Sequence, residues 1–262
     1  MVKHVTELSA RWDLVTVARQ HASHDRFASL DRLRSRKSMS VIVKICGLAT
    51  EEEVDAALAC GADMIGFVFF DKSPRHVSLE RAADLGRRAA NRACKVLLTV
   101  NAGDALLAAA IAALDPHLLQ LHGSETPARV ASIRAHFGLP VMKAIGISEA
   151  ADLASVPLFD TAADYLLFDT KPALAAGRPG GNGQKFDWSL LNSMGTKRPW
   201  LLAGGLDPAN VAEALAQTGA AGVDVSSGVE SAAGIKDPNK IAAFIAAARR
   251  SERNIEGTAQ RR

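Results

Sequence analysis

Cysteine is scarce in this 262-residue chain: Cys46, Cys60 and Cys94 are its three, an odd number with no CxxC spacing. That argues against a disulfide framework and against a Cys-rich zinc site, and a reducing, cytoplasmic setting is expected. No apolar run approaches the roughly 18 residues that a membrane span needs, and the 20 Gly and 10 Pro follow no period, so membrane-spanning and collagen-like readings drop out. The HxH and HExxH spacings are absent, and three of the seven His (His4, His21 and His24) fall in the first 38 residues; no catalytic metal is expected. Net charge is small too, at +3. Residues 1–38 hold eight of the 31 basic and four of the 28 acidic residues, a balance of +4, and the other 23 basic and 24 acidic residues leave −1. A basic excess confined to one terminal segment is not the basic face of a folded domain that nucleic acid needs. Neither nucleic acid nor a membrane is expected as a partner.

What remains is ordinary for a globular protein, 48% hydrophobic and 23% charged. Residues 1–38 have no apolar run of a secretory signal and too many acids for a transit peptide. They are read as a basic extension, disordered or a start-site artefact, because Met39 stands directly before the first β-branched run. The polar residues 251–262 are read as a flexible tail.

Between these ends eight short, near-continuous apolar runs recur, at 41–46, 64–69, 95–100, 118–122, 141–145, 165–169, 200–203 and 223–226. Each is followed by an Ala/Leu-rich stretch with apolar residues at helical spacing. Continuous apolar strands are what a parallel sheet covered on both faces requires. Helix starts are marked by Thr50 and Glu53, by Ser78, by Ser124-Glu125, by Asp207-Pro208 and by Asp237-Pro238. Eight βα units in residues 39–250 predict a single (β/α)8 TIM barrel. An open doubly wound sheet is the alternative, but its GxGxxG turn after the first strand is missing.

In such a barrel the active site lies at the C-terminal strand ends. Glycines at two successive ends, Gly204-Gly205 and Ser227-Gly228, suit a phosphate, because bare backbone can approach the anion closely. Tight turns and a helix cap would explain the same residues. Cys46 and Asp169 are the proton-transfer candidates; against them stand a small buried hydrophobe and a loop-capping carboxylate. Arg75 could grip a carboxylate or be solvated in an exposed loop, and His122 could be an acid or a structural residue. Cys60 and Cys94, read toward the ends of helical stretches, fit the buried-hydrophobe role.

Val43-Lys44-Ile45-Cys46-Gly47-Leu48, Gly66-Phe67-Val68-Phe69, Ser73-Pro74-Arg75, Gln120-Leu121-His122-Gly123, Phe168-Asp169, Ala203-Gly204-Gly205-Leu206 and the run from Gly222 through Asp224, Ser226, Ser227 and Gly228 to Glu230 together resemble the phosphoribosylanthranilate isomerase family. The resemblance implies a cofactor-free, metal-free Amadori rearrangement of N-(5-phospho-β-D-ribosyl)anthranilate in tryptophan biosynthesis. A general acid opens the ribose ring and a general base removes the C2 proton. Carried over by motif, Asp169 is the acid and Cys46, as thiolate, the base, so their environments must pull the two pKa values apart. Arg75 holds the anthranilate carboxylate, with Asp224 on the aniline side, and Gly204, Gly205, Ser227 and Gly228 cradle the phosphate. One departure lies in Gly180-Gly181-Asn182-Gly183, where the common family form has Thr for Asn182. A small-molecule substrate is the only partner implied beyond a monomer or homodimer.

Two neighbouring barrel chemistries fit less well. Indole-3-glycerol-phosphate synthase calls for Lys and Glu at several strand ends, whereas only Lys44 and Lys143 lie in the eight runs beyond their first residue and strand-end Glu is absent. A histidine-pathway isomerase of the ProFAR type pairs two Asp, and Cys46 occupies the first of those places. A silent phosphometabolite binder remains the alternative from another class.

Overall fold

The computed structural model describes residues 41–171 and 186–259. The expected extension, residues 1–38, and the loop around Asn182 lie outside the described residues. Eight parallel strands close into a barrel in sequence order: β1 (Ile42–Cys46), β2 (Met64–Phe69), β3 (Cys94–Thr99), β4 (Leu118–Leu121), β5 (Val141–Ile147), β6 (Tyr165–Thr170), β7 (Trp200–Leu202) and β8 (Gly222–Val225). The last strand pairs back to the first, with Ile42 opposite Gly222 and Lys44 opposite Asp224. The fold is a (β/α)8 TIM barrel.

Alternation along each strand divides the core in two. Val43, Ile45, Ile65, Phe67 and Leu97 point outward and pack beneath the helices. Ile42, Met64, Val96, Met142, Tyr165 and Leu167 fill the barrel interior. Above them Cys46, Val68 and Leu98 form a small cluster nearer the C-terminal strand ends. Cys94, expected near a helix end, opens β3 inside the barrel, where burial pushes its thiol up to about 12.

The helices are α1 (Glu51–Ala59), α2 (Leu79–Ala89), α3 (Asp104–Leu114), α4 (Pro127–Phe137), α5 (Val156–Phe159), α6 (Val211–Thr218) and α7 (Pro238–Ala259). The expected capping box starts α1: Thr50 Oγ1 accepts from the Glu53 N–H, while the Glu53 carboxylate accepts from the Thr50 N–H. Two expected starts move. Thr126, not Ser124, caps α4 and puts Pro127 in its first turn, because Glu125 is committed to the Asn101 and Gly123 amides and to the Lys143 ammonium. Asp207 closes a turn onto the Ala209 and Asn210 amides, so α6 begins only at Val211.

A full helix after every strand is also corrected. After β5 the chain makes a 3-10 helix, Ala150–Ser155, and then the single turn α5, whose Pro157 lacks an N–H. Before β7 the described residues form only a 3-10 helix, Trp188–Ser193, in the short space between its cap Asp187 and Gly195. The tail expected from residue 251 continues α7 as far as Ala259 instead, since its first residues, from Ser251 to Glu256, include no Gly or Pro to stop a helix.

Candidate active site

Side chains of like parity meet inside the barrel at the C-terminal strand ends. Lys44 and Cys46 come from β1, Gln120 and His122 from β4 and the residue just past it, Asp169 from β6 and Asp224 from β8. The intervening strands bring Val68, Leu98, Ala144 and Ala203 to the same interior. Polar groups therefore gather on two sides of one mouth, separated by apolar walls.

On the β1–β8 side, direct register brings Lys44 Nζ to 2.9 Å from Asp224 Oδ1, both side chains being buried. Lys44 and Cys46 also converge over Gly66 of β2. A Cβ on Gly66 would lie 2.8 Å from Cys46 Sγ and 3.2 Å from Lys44 Nζ. Burial alone would lower the Lys44 pKa, but the Asp224 carboxylate and Cys46 hold it up to about 12. For Cys46 burial dominates and pushes the thiol up; the Lys44 ammonium pulls it down, Asp224 opposes that pull, and Lys236 adds to it. The lowering expected for a thiolate base is thus not met, because desolvation outweighs the two ammonium groups. Asp224, expected against the substrate, is committed to Lys44.

Arg75 is buried at 4% exposure, not solvated in an exposed loop. Its stem crosses Gly47, whose φ of +80° and absent side chain make the crossing feasible, since a Cβ there would sit 2.5 Å from Arg75 Cδ. Arg75 Nε and Nη2 donate to Glu230 Oε1 and Oε2 at 2.6 and 2.8 Å. Glu230 opens a hairpin of β9 (Glu230–Ala232) and β10 (Ile235–Lys236) that follows β8. The hairpin returns Lys236, whose Nζ donates to Glu230 Oε1 at 2.7 Å and to the Ser226 carbonyl at 3.0 Å. Burial works against ionisation of Glu230, yet Arg75 and Lys236 hold its carboxyl below the usual range. Ser226 Oγ in turn donates to the Cys46 carbonyl at 3.0 Å.

Across the mouth, His122 bridges two polar groups. Its Nε2 lies 3.2 Å from Asp169 Oδ2 and its Nδ1 2.9 Å from Gln120 Nε2. Since β5 separates β4 from β6, that contact spans the interior rather than a strand ladder. Asp169 Oδ1 accepts from the Thr170 N–H at 2.7 Å. Lys143 plays no part here: its ammonium is held outside the mouth by Glu125 and the Leu121 and Gly123 carbonyls.

The expected anion cradle has the backbone it needs. Gly204 and Gly205 adopt φ of +87° and +61°, and among the described residues neither N–H has an acceptor. A Cβ on Gly204 would overlap Thr170 and reach 3.1 Å from Asp169 Oδ1, so the bare turn abuts the acid candidate. A Cβ on Gly228 would overlap the Leu206 carbonyl, which locks the second glycine end against the first. Ser227 begins a 3-10 turn, Ser227–Val229, beside it.

All the sequence-derived candidates therefore stand at one end of the barrel, though Asp224 and Arg75 already have protein partners. Sequence reasoning assigned no role to Lys44, Gln120, Glu230 or Lys236. A Lys two residues before Cys46, on the same face of an otherwise apolar strand, was the available signal for the first. Among the described residues no cluster of three or more His, Cys, Asp or Glu could hold a metal ion, and no helix is long and apolar enough to cross a membrane.

The family model described as N-(5'-phosphoribosyl)anthranilate (PRA) isomerase matches residues 43–247. An N-(5'-phosphoribosyl)anthranilate isomerase of Beijerinckia indica subsp. indica is 66% identical over 214 residues, 82% of this chain and 96% of that protein. Among solved structures, monomers of the dimeric phosphoribosylanthranilate isomerase of Thermotoga maritima align with a TM-score of 0.67 and 32% identity, over 79% of this chain and 98% of theirs. A phosphoribosyl anthranilate isomerase in complex with reduced 1-(o-carboxyphenylamino)-1-deoxyribulose 5-phosphate aligns equally well, at 0.67 and 31%, with the same 79% and 98% coverage.

Proposed function

The chain belongs to the N-(5'-phosphoribosyl)anthranilate isomerase family, and from that premise we propose how its mouth divides the work of the reaction. The protein catalyses the Amadori rearrangement of N-(5-phospho-β-D-ribosyl)anthranilate to 1-(2-carboxyphenylamino)-1-deoxy-D-ribulose 5-phosphate in L-tryptophan biosynthesis. Asp169 gives a proton to the ribose ring oxygen, the C1–O bond breaks, and a Schiff base forms between C1 and the aniline nitrogen. Cys46, as thiolate, then takes the C2 proton, and the electron pair left behind yields the enolamine, which tautomerises to the ketone.

Binding in this reading falls to the rim. Gly204, Gly205, Ser227 and Gly228 take the phosphate through backbone N–H groups, and the Nη1 of Arg75 takes the anthranilate carboxylate. Asp224 acts on the aniline side through its pairing with Lys44. Anchors at both ends of the substrate hold its ribose carbons between acid and base, so binding energy is turned into orientation.

The observation that carries the reading is the abutment of the unsatisfied Gly204-Gly205 turn on Asp169 at the same mouth as Cys46. We read residues 39–250 as the catalytic unit, a span that contains the whole family match. The setting is cytoplasmic, where Cys46 stays reduced. The assembly is a monomer or a homodimer, the latter supported by the dimeric Thermotoga relative.

Anthranilate fluorescence tests the activity. With phosphoribosylanthranilate generated in place from anthranilate and phosphoribosyl pyrophosphate by its transferase, the purified chain is expected to speed the loss of signal above the spontaneous hydrolysis rate. The product is expected to be the carboxyphenylamino-deoxyribulose phosphate, with no effect of a chelator. Decay equal to the enzyme-free control would leave a phosphate-binding barrel without this activity.

A further inference from the structure

We propose that the β9–β10 hairpin is the positioning device of the carboxylate subsite, in which Glu230, braced by Lys236, aims Arg75 at an aromatic carboxylate and so sets specificity for the aglycone. The inference rests on Arg75 as the carboxylate anchor.

A buried guanidinium needs acceptors for its five donors, and Glu230 takes the Nε and Nη2 edge in a two-point grip. Arg75 Nη1 makes no hydrogen bond among the described residues and is not sealed from solvent, so it is the edge left for a ligand. A planar fork held along one edge has little freedom to turn, so the direction of Nη1 follows from where Glu230 is. The carboxylate of Glu230 is itself fixed by two further contacts, Lys236 Nζ at 2.7 Å and the Gly234 N–H at 3.2 Å, and Lys240 Nζ holds the Glu230 backbone carbonyl at 2.7 Å. The hairpin is anchored to the barrel wall as well, since the Lys236 N–H donates to Glu53 Oε1 at 2.8 Å within the capping box of α1.

Charge fits the same role. Around the fork itself, Arg75 and Lys236 carry two positive charges against one on Glu230, so this cluster keeps one positive charge in excess for an incoming carboxylate. Substrates lacking that carboxylate would forgo the contact, which makes the hairpin a determinant of specificity rather than of the proton transfers.

Two forces in Glu230→Gln pull in opposite directions, and this makes the test decisive in sign. Removing the Glu230 charge raises the positive potential around Arg75, which by itself favours an anionic ligand. It also replaces a two-oxygen acceptor by one oxygen and one NH2, which breaks the grip that aims the fork. If aiming dominates, KM for phosphoribosylanthranilate rises about tenfold, the effect expected from misplacing a charge-assisted hydrogen bond. In that case kcat stays within about threefold and the affinity for inorganic phosphate, measured as a competitive inhibitor, is unchanged. Glu230→Asp, which keeps the charge but shortens the reach, is expected to fall between. In an Arg75→Lys background, where no fork exists to be aimed, Glu230→Gln is expected to have no further effect.

A fall in KM would overturn the proposal, as would a loss of phosphate affinity equal to the rise in KM or an undiminished effect in the Arg75→Lys background. Arg75→Met separates the two layers of the argument. If it leaves KM unchanged, the anchor reading itself fails; if it raises KM while Glu230→Gln does not, only the positioning role fails.

Discussion

The two sides of the barrel mouth differ in their electrostatics. On the β1–β8 side, Cys46 sits among fixed ionic groups: Lys44 paired with Asp224, and Lys236 paired with Glu230. On the β4–β6 side, Asp169 has an imidazole and a backbone N–H as partners, with no Lys or Arg paired to it among the described residues. In the proposed assignment, the base that must carry negative charge sits where ammonium groups offset part of the cost of burial. The acid that must hold and release a proton sits away from them, since a nearby cation would favour its carboxylate form. In that assignment the contrast between the sides, more than either residue alone, sets acid against base.

Removing either centre is the harshest way to break that contrast. Cys46→Ser and Asp169→Asn preserve shape but withdraw the base and the acid, and each is expected to lower kcat by about 10²–10⁴-fold. Binding of the product, followed by its fluorescence, should survive in both. A variant retaining wild-type turnover would strike its residue from the mechanism.

Lys44 tests the ionic side without removing either proposed reacting group. Lys44→Met leaves Asp224 buried and unpaired, which costs about 3–5 kcal/mol of stability in denaturant unfolding. The double variant Lys44→Met with Asp224→Leu is expected to recover most of that loss. Turnover should not recover, because the ammonium that pulls the Cys46 thiol down is still missing. If the thiolate is the active form, as proposed, kcat/KM rises with pH through the free-enzyme value of Cys46, and both variants should move that rising limb to higher pH. Stability has its own sign. Lys44 is held up to about 12 from 10.5, so its contribution is fully present below 10.5 and is lost as pH rises toward 12. Wild-type stability that does not fall across that window would show the pair to be energetically silent.

Legibility differed along the same divide. Apolar runs located all eight strands to within about two residues at each end, because a parallel barrel buries both strand faces and leaves little else that such runs can do. Strand-end residues such as Cys46, Asp169 and Gly204 could be read locally, since the strand that carries each one also places it. The ionic partners could not. Lys44 and Asp224 are separated by 180 residues and Arg75 and Glu230 by 155, and only closure of β8 onto β1 makes them neighbours. The helices that failed did so for local reasons, namely Pro157 after β5 and the crowding of Asp187 and Gly195 before β7.

The gentlest probe concerns the quiet side. With Gln120 Nε2 toward His122 Nδ1, the imidazole carries its proton on Nε2 and donates it to Asp169, which then acts only as an acceptor; Gln120 Oε1 meanwhile stays buried without a partner. A half-turn of the amide exchanges those roles. Oε1 then accepts from Nδ1–H, and Nε2 becomes the acceptor for a proton carried by Asp169. The turned arrangement exchanges an unpaired buried oxygen for an unpaired buried NH2, each costing about 1–3 kcal/mol, so the balance falls on Asp169, which the turned arrangement leaves in the form the proposed general acid requires. We therefore expect nitrogen-15 shifts of His122 to show Nδ1–H in the free enzyme, and His122→Ala to lower kcat about tenfold with KM nearly unchanged. An Nε2–H imidazole with undiminished turnover in His122→Ala would mean that Asp169 holds its proton without help, and that the asymmetry of the mouth rests on the ionic side alone.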